Sequence, residues 1–424
     1  MEGDEPAGNN ERRGTEHSPS GAQRGLRRAA ARGGRRKGMG EGRGGGDAMG
    51  FVPRCDARPG GWCRSLWASH CHLMRTACSG RSISCGRLML ARPNAGAVRP
   101  SASATEPIFS FGVIADVQYA DIPDGRSFLG VPRYYRHSLA VLWRAVRSWN
   151  AHGGVRFCVN FGDIVDGFCP RDRSLAAVRA VVREFDGFRG GPAYHMLGNH
   201  CLYNLPRSEL VSELRMPSPP GRAYYDFSPW PGYRFVVLDA YDFSAVGRAR
   251  GDPVAAAARR FLEARNPNRD KNSPSGLEGA ARRFVMFNGG VGGAQLRWLD
   301  GVLRGAAARR EKAVVCSHLP VHPGAASPTG LMWNYEEVAA VVRRHGGCVV
   351  ACLAGHDHKG GYAVDDRGVH HRTLEAALEC PPGTDAFGRV EVYPDRLRLV
   401  GSDRMASTEM LLNSSSSDSV SSTG

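Results

Sequence analysis

Five short polar clusters in this 424-residue chain are built from residue types that bind metal ions. They are Asp116-Val-Gln118, Gly162-Asp163, Gly198-Asn199-His200, His318 after Cys316-Ser317, and Gly355-His356-Asp357-His358. Carboxylate, amide and imidazole groups are the oxygen and nitrogen donors that suit Mn, Fe or Zn, and a carboxylate such as Asp163 can bridge two ions. Two ions roughly 3.5–4 Å apart can hold a hydroxide for in-line attack on phosphorus while they neutralise the phosphoryl oxygens. The chemistry open to these residues is hydrolysis at phosphorus.

Taken singly, each cluster is weak, because GD and GH pairs are common as strand-exit turns and a lone His after a strand is usually structural. Their shared context is what joins them. Each follows an apolar, strand-like run: Ile108–Ile114, Phe157–Asn160, Ala193–Leu197, Ala313–Cys316 and Cys348–Leu353, with a further run at Arg234–Leu238. Loops at the carboxyl ends of strands in α/β sheets converge on one crevice, so residues 240 apart can meet there. Gly beside Asp163, Asn199 and His356 lets the backbone turn sharply and bring the ligand close.

Amphipathic stretches alternate with these strands: Arg136–Asn150, Ser174–Phe185, Gly293–Leu303 and Tyr335–Arg344 read as helices. The C-terminal part has shorter runs with tight turns, Gly361–Val364, Val369–Leu374, Arg389–Tyr393 and Arg396–Val400, which predict antiparallel pairing. Two sheets packed face to face with helices outside is the α/β architecture expected. The body spans 105–403, with 245–283 as a long basic inserted loop and 404–424 as a Ser-rich disordered tail.

Residues 1–104 are a different polymer. They hold 18 Lys+Arg against 8 Asp+Glu, a balance of +10 that leaves only +5 of the chain's +15 for the rest. Gly, Arg, Ala and Ser dominate, which predicts a disordered basic leader. From Met49 to Ala104 there is one acid, Asp56, and no apolar run suited to a signal peptide or membrane span. That composition matches an organelle transit peptide, for plastid or mitochondrion. The competing expectation is a start at Met49 or later and a cytoplasmic protein.

Of twelve cysteines, five lie in the leader and the rest are scattered without zinc-ribbon or redox spacing, which fits a reducing compartment. The expected product is a soluble monomer that binds neither membrane nor nucleic acid. Neither the leader nor 245–283 interleaves aromatics with its charge as a nucleic-acid groove would.

The ordered series D-x-Q, GD-x-x-D, GNH, SH and GHDH resembles the calcineurin-like metallophosphoesterases over roughly 108–401. Gln118 stands where that superfamily usually has His. In this it is similar to the manganese-dependent ADP-ribose/CDP-alcohol diphosphatase branch, as are Ile114–Tyr119, Arg133-Tyr-Tyr-Arg136 and Asn288-Gly-Gly-Val-Gly292. The resemblance implies a four-layer α-β-β-α sandwich of two mixed sheets and two divalent ions, Mn²⁺ ahead of Fe or Zn. One ion would be held by Asp116, Gln118, Asp163 and His358, the other by Asp163, Asn199, His318 and His356. It also implies that His200 contacts the transferring phosphoryl and protonates the leaving oxygen. The implied reaction splits the phosphoanhydride of ADP-ribose or of CDP-choline, CDP-ethanolamine or CDP-glycerol; the alternative is a phosphomonoesterase or cyclic-nucleotide phosphodiesterase of the same fold.

Phe128, in Gly125-Arg-Ser-Phe-Leu129 just after the first metal loop, can stack on a base or line the substrate pocket. The glycine run Gly289–Gly293 reads as a loop leading into a helix; it lacks the Lys-Ser/Thr of a phosphate loop. His322, His370, His371, Asp121, Asp166 and Asp357 read as outer partners of the ligands or surface groups.

Overall fold

The computed structural model describes residues 105–127, 129–249 and 251–412. One six-stranded sheet has the order β14 (Thr408–Leu411), β13 (Arg396–Gly401), β12 (Phe387–Val392), β1 (Phe109–Ile114), β4 (Val155–Asn160), β5 (Ala193–His195). The other runs β10 (Lys359–Val364), β11 (His370–Glu375), β9 (Val349–Ala354), β8 (Lys312–Ser317), β7 (Tyr233–Val237), β6 (Tyr225–Trp230). Both are mixed: β1, β4 and β5 are mutually parallel, as are β7, β8 and β9, while the flanking strands include antiparallel pairs. A small ribbon, β2 (Gly125–Arg126) with β3 (Pro132–Arg133), projects after the first strand.

Aromatic side chains from the two sheets interlock. Phe111 and Phe157 stack at 5.0 Å in one sheet, and Phe235 of the other meets both edge-on at 5.0 and 5.1 Å. All three are buried, and truncating one to Ala would cost about 3–5 kcal/mol in lost transfer energy and cavity formation. Helices α1 (His137–His152) and α2 (Arg171–Asp186) cover one outer face, and α6 (Gly293–Ala308) and α7 (Tyr335–Arg344) the other. Every residue of β1 is buried, as a strand covered on both faces must be. The four-layer α-β-β-α sandwich is thus the fold.

Two segments differ from the sequence expectation. The stretch 245–283 is an ordered lobe that carries α5 (Pro253–Glu263). Asp252 caps this helix, accepting from the N–H groups of Val254 (2.7 Å) and Ala255 (3.1 Å), with Pro253 in the first turn. Phe261 stacks on Trp333 at 5.5 Å, and Asn266 Nδ2 donates to the carbonyls of Ser273 and Phe284, which closes the lobe on itself. The expected tail from 404 also begins too early, because β14 pairs with β13 and adds a strand to the sheet edge. Short helices α3 (Asn199–Asn204) and α4 (Arg207–Glu213) follow β5. No helix among the described residues is long and apolar enough to cross a membrane.

Candidate metal centre

The carboxyl ends of β1, β4, β5, β8 and β9 deliver all seven expected ligand residues to one point. Asp163 is its hub: Oδ1 accepts the His200 N–H at 2.8 Å, and Oδ2 lies 3.3 Å from His318 Nε2. His318 Nε2 is in turn 3.2 Å from His356 Nδ1. Asp163, His318 and His356 each offer a donor atom within 4.8 Å of the others, a spacing that could hold an ion. The second group adjoins it, with His358 Nε2 3.5 Å from Asp116 Oδ1 and the His356 N–H donating to Asp116 Oδ2 at 2.9 Å.

Bringing five loops so close strains the backbone. Seven described non-glycine residues have positive φ, and four of them are Asp116 (52°), Gln118 (40°), Asp163 (49°) and His356 (66°). Each such residue costs about 1–3 kcal/mol, and such strain gathers where a site over-determines its ligands. Glycine is required at two neighbours. A Cβ on Gly198 would lie 2.0 Å from Asp163 Oδ1, and Gly162 combines φ 94° with a Cβ position 2.6 Å from His318 Nδ1.

The imidazoles have their outward nitrogens assigned by partners. His318 Nδ1 meets the Phe161 carbonyl at 2.6 Å, so in the neutral ring it carries the proton and Nε2 presents a lone pair inward. Asn288 Nδ2 donates to the carbonyls of Arg283, Thr329 and Leu331, which leaves Oδ1 to accept from His356 Nε2 at 2.9 Å. His356 therefore turns the Nδ1 lone pair to the centre. His358 Nδ1 is paired with Glu379 Oε1 at 2.8 Å and faces the centre with Nε2. Tyr241, buried, donates its hydroxyl to Asn199 Oδ1 at 3.0 Å, leaving that oxygen a second lone pair.

Asp116 Oδ1 is fully enclosed yet has no hydrogen-bond partner, and a buried carboxylate oxygen with no hydrogen bond among imidazole nitrogens fits a cation. The electrostatics agree. Burial would raise the Asp163 carboxyl, but His318, His200 and His356 outweigh it and hold it well below the usual range. Asp116 is lowered likewise: burial opposes, and His358 and His318 prevail. In return, and against burial, Asp163 and Asp116 raise His318 to about 8, and Asp116 with Glu379 raises His358 to about 10. Burial and the neighbouring His318 lower His356 to about 3.

Gln118 is at the centre with its amide turned. Its Nε2 is 2.9 Å from His358 Nε2, while Oε1 lies 3.4 Å from Arg133 NH1, so ligation through oxygen requires the amide to rotate. His200 accepts the Gly167 N–H on Nδ1 at 2.9 Å, which leaves the neutral ring's proton on Nε2. Its side chain is 17% exposed, against none for His318. Asp166 sits behind it, fully buried, with Oδ2 3.3 Å from His200 Nδ1 and 3.4 Å from Arg133 NH1. Phe128 lies outside the described residues.

The remaining candidates stand elsewhere. His371 stacks on His322 at 4.5 Å and pairs with Asp365, His370 bonds the Tyr362 hydroxyl, and Asp121 meets Arg136 at the surface. Asp357 accepts the Ser327 N–H. The glycine run is a loop into α6, as expected: its Val291 and Gly292 N–H groups donate to Asn334 and Asp242, not outward. Asn288, Glu379, Tyr241 and Arg133 are the functional neighbours that the sequence did not single out. Of these only Asn288 and Arg133 lay in motifs already noticed.

A family model described as calcineurin-like phosphoesterase matches residues 109–360. The chain is 69% identical over 309 residues to a manganese-dependent ADP-ribose/CDP-alcohol diphosphatase from Oryza sativa subsp. japonica, spanning 73% of this chain and 96% of that protein. Proteins of the same name from Arabidopsis thaliana and Homo sapiens are 61% and 41% identical, over 72% and 74% of this chain and 98% and 95% of theirs. The fold is similar to a crystal structure of a dimetal phosphatase from Danio rerio, with TM-score 0.69 and 42% identity, covering 72% of this chain and 99% of that one. With that likeness and the converging ligand loops, the chain belongs to the calcineurin-like phosphoesterase family of metal-dependent hydrolases, in the branch of these manganese-dependent diphosphatases.

Proposed function

We propose that this protein hydrolyses the phosphoanhydride bond of ADP-ribose and CDP-alcohols, giving a nucleoside monophosphate and a phosphorylated sugar or alcohol. The reaction type is carried by the buried Asp116 Oδ1, without a hydrogen-bond partner, among inward-facing imidazole nitrogens, a donor set that fits divalent cations. The substrate class rests on the relatives, whose names give those compounds. Two Mn²⁺ ions fit the reading, one on Asp116, Gln118, Asp163 and His358, the other on Asp163, Asn199, His318 and His356. Bound there, they would polarise the phosphoryl oxygens and make water nucleophilic at neutral pH.

The chain's own groups do the rest. His200 holds its proton on Nε2, the partly exposed side, and donates it to the phosphate oxygen that leaves as the P–O bond breaks; water supplies the oxygen of the new bond. The Gly167 N–H holds that ring in place, and Asp166 anchors the same loop by accepting the Phe168 N–H. Arg133, with a buried and unpaired Nε, adds a positive charge beside Gln118 for the substrate's phosphates.

The test is a substrate panel with the full chain in Mn²⁺, Zn²⁺ and Mg²⁺. Rapid Mn²⁺-dependent conversion of ADP-ribose to AMP and ribose 5-phosphate is expected. Release of phosphate from simple monoesters with ADP-ribose untouched would reverse the reading in favour of a phosphomonoesterase.

A further inference from the structure

The centre is enclosed except where His200 and His358, 17% and 14% exposed, and the partly buried His356 meet solvent. Phe168 stands beside that opening. Its N–H donates to Asp166 Oδ1 at 2.8 Å, and the residue before it, Gly167, gives its N–H to His200. A Cβ on Gly167 would lie 2.9 Å from the Tyr203 ring and 3.1 Å from His200 Nδ1, so the backbone leading into Phe168 is pressed against both rings. Even so, the Phe168 side chain is left in water.

At 60% exposed, Phe168 is the one phenylalanine among the large hydrophobics exposed in the described residues. A phenyl ring whose backbone is anchored beside His200 and whose side chain is denied burial forgoes the usual hydrophobic gain. Leu129, 81% exposed, crowns the β2–β3 ribbon, whose Arg133 reaches the same Asp166 carboxylate that anchors Phe168. An apolar rim therefore borders a cationic, phosphate-ready floor, and the complementary ligand is a phosphate carrying a flat aromatic base.

We propose that Phe168 is the stacking platform for the nucleobase of the substrate and a determinant of its specificity. The proposal rests on the nucleotide reading above and deepens it. Stacking of a base on an aromatic side chain is sequence-tolerant, which suits an enzyme that accepts adenine and cytosine alike, and favours the larger purine. The base half of the substrate would be gripped by Phe168, and the sugar or alcohol half left outside its reach.

The experiment compares the wild type with Phe168→Ala and Phe168→Trp in Mn²⁺, measuring kcat and KM for ADP-ribose and CDP-choline and competitive inhibition by AMP and by ribose 5-phosphate. Phe168→Ala should raise KM for ADP-ribose, and the inhibition constant of AMP, roughly ten-fold, with a smaller rise for CDP-choline and kcat unchanged. Inhibition by ribose 5-phosphate, which has no base, should not change, and Phe168→Trp should restore the wild-type KM. An unchanged KM in Phe168→Ala, or equal weakening of AMP and ribose 5-phosphate, overturns the proposal while leaving the diphosphatase reading intact. A wild type without activity on either nucleotide sinks both.

Discussion

The two halves of the metal centre are built differently. Around Asp163, His318 and His356, the outward ring nitrogens are tied to the Phe161 carbonyl and the Asn288 amide, and the carboxylate is enclosed. Around Asp116 and His358, a neutral amide takes part, its oxygen is occupied by Arg133, and Asp116 Oδ1 has no hydrogen-bond partner. Donors already aimed at an ion lose little freedom on binding it, whereas donors that must turn first bind it more weakly. On the proposed two-ion reading, the first half would retain an ion and the second exchange one.

The largest effect should come from the residue the halves share. Asp163→Ala should reduce ADP-ribose hydrolysis to the level seen without metal and abolish retention of Mn²⁺ through gel filtration. A variant that keeps one ion per chain would show that the halves do not depend on a common carboxylate. His200→Ala separates chemistry from metal binding: kcat should fall about 10²–10⁴-fold, with Mn²⁺ uptake as in the wild type. Full turnover would remove His200 from the mechanism.

How much of this contrast can be read in the chain depends on range. The strand cores and the ligand words after them are local, and Phe157–Asn160 or Tyr335–Arg344 fall within two residues of β4 and α7. β6 escapes because Tyr225–Trp230 contains Asp226 and Pro229, which are depleted in strands; it is tolerated as an edge strand with a bulge. The lobe at 245–283 did carry a local signal, Asp252-Pro253 before an Ala-rich stretch, but its Phe261 packs on Phe243, Phe284 and Trp333, all outside the stretch. The partners that distinguish the two halves are non-local. Asn288 meets His356 across 68 residues, and Tyr241 meets Asn199 across 42. Glu379 sits in a short turn after β11 with nothing in its surroundings to mark it.

Those partners allow the contrast to be tested one half at a time. Asn288→Ala should weaken the retained ion about 10–100-fold, and Glu379→Gln should weaken the exchangeable one by a similar factor while the first is kept. Isothermal titration with Mn²⁺ reads the two affinities, and a melting curve separates loss of the three carbonyl bonds made by Asn288 from loss of metal. Equal weakening of both ions by either variant would mean that the centre behaves as one unit.

Proton competition gives the smallest and most discriminating effect. Without metal, His318 and His358 both carry a second ring proton at pH 7, raised by their carboxylate neighbours to about 8 and about 10, and His356, lowered to about 3, stays neutral with its single proton on Nε2. An ion must displace the proton it replaces, so affinity rises with pH, about ten-fold per unit for each proton released, until the group loses its proton anyway. For the His318 half that gain ends near pH 8. For the His358 half it continues towards pH 10. Mn²⁺ titrations at pH 7, 8 and 9, in buffers of different ionisation heat, should show the tighter affinity levelling off above pH 8 while the weaker one keeps rising. Parallel slopes for the two ions across that range would mean that Glu379 and Asp116 do not set the proton affinity of His358, and the distinction between the halves would lose its electrostatic basis.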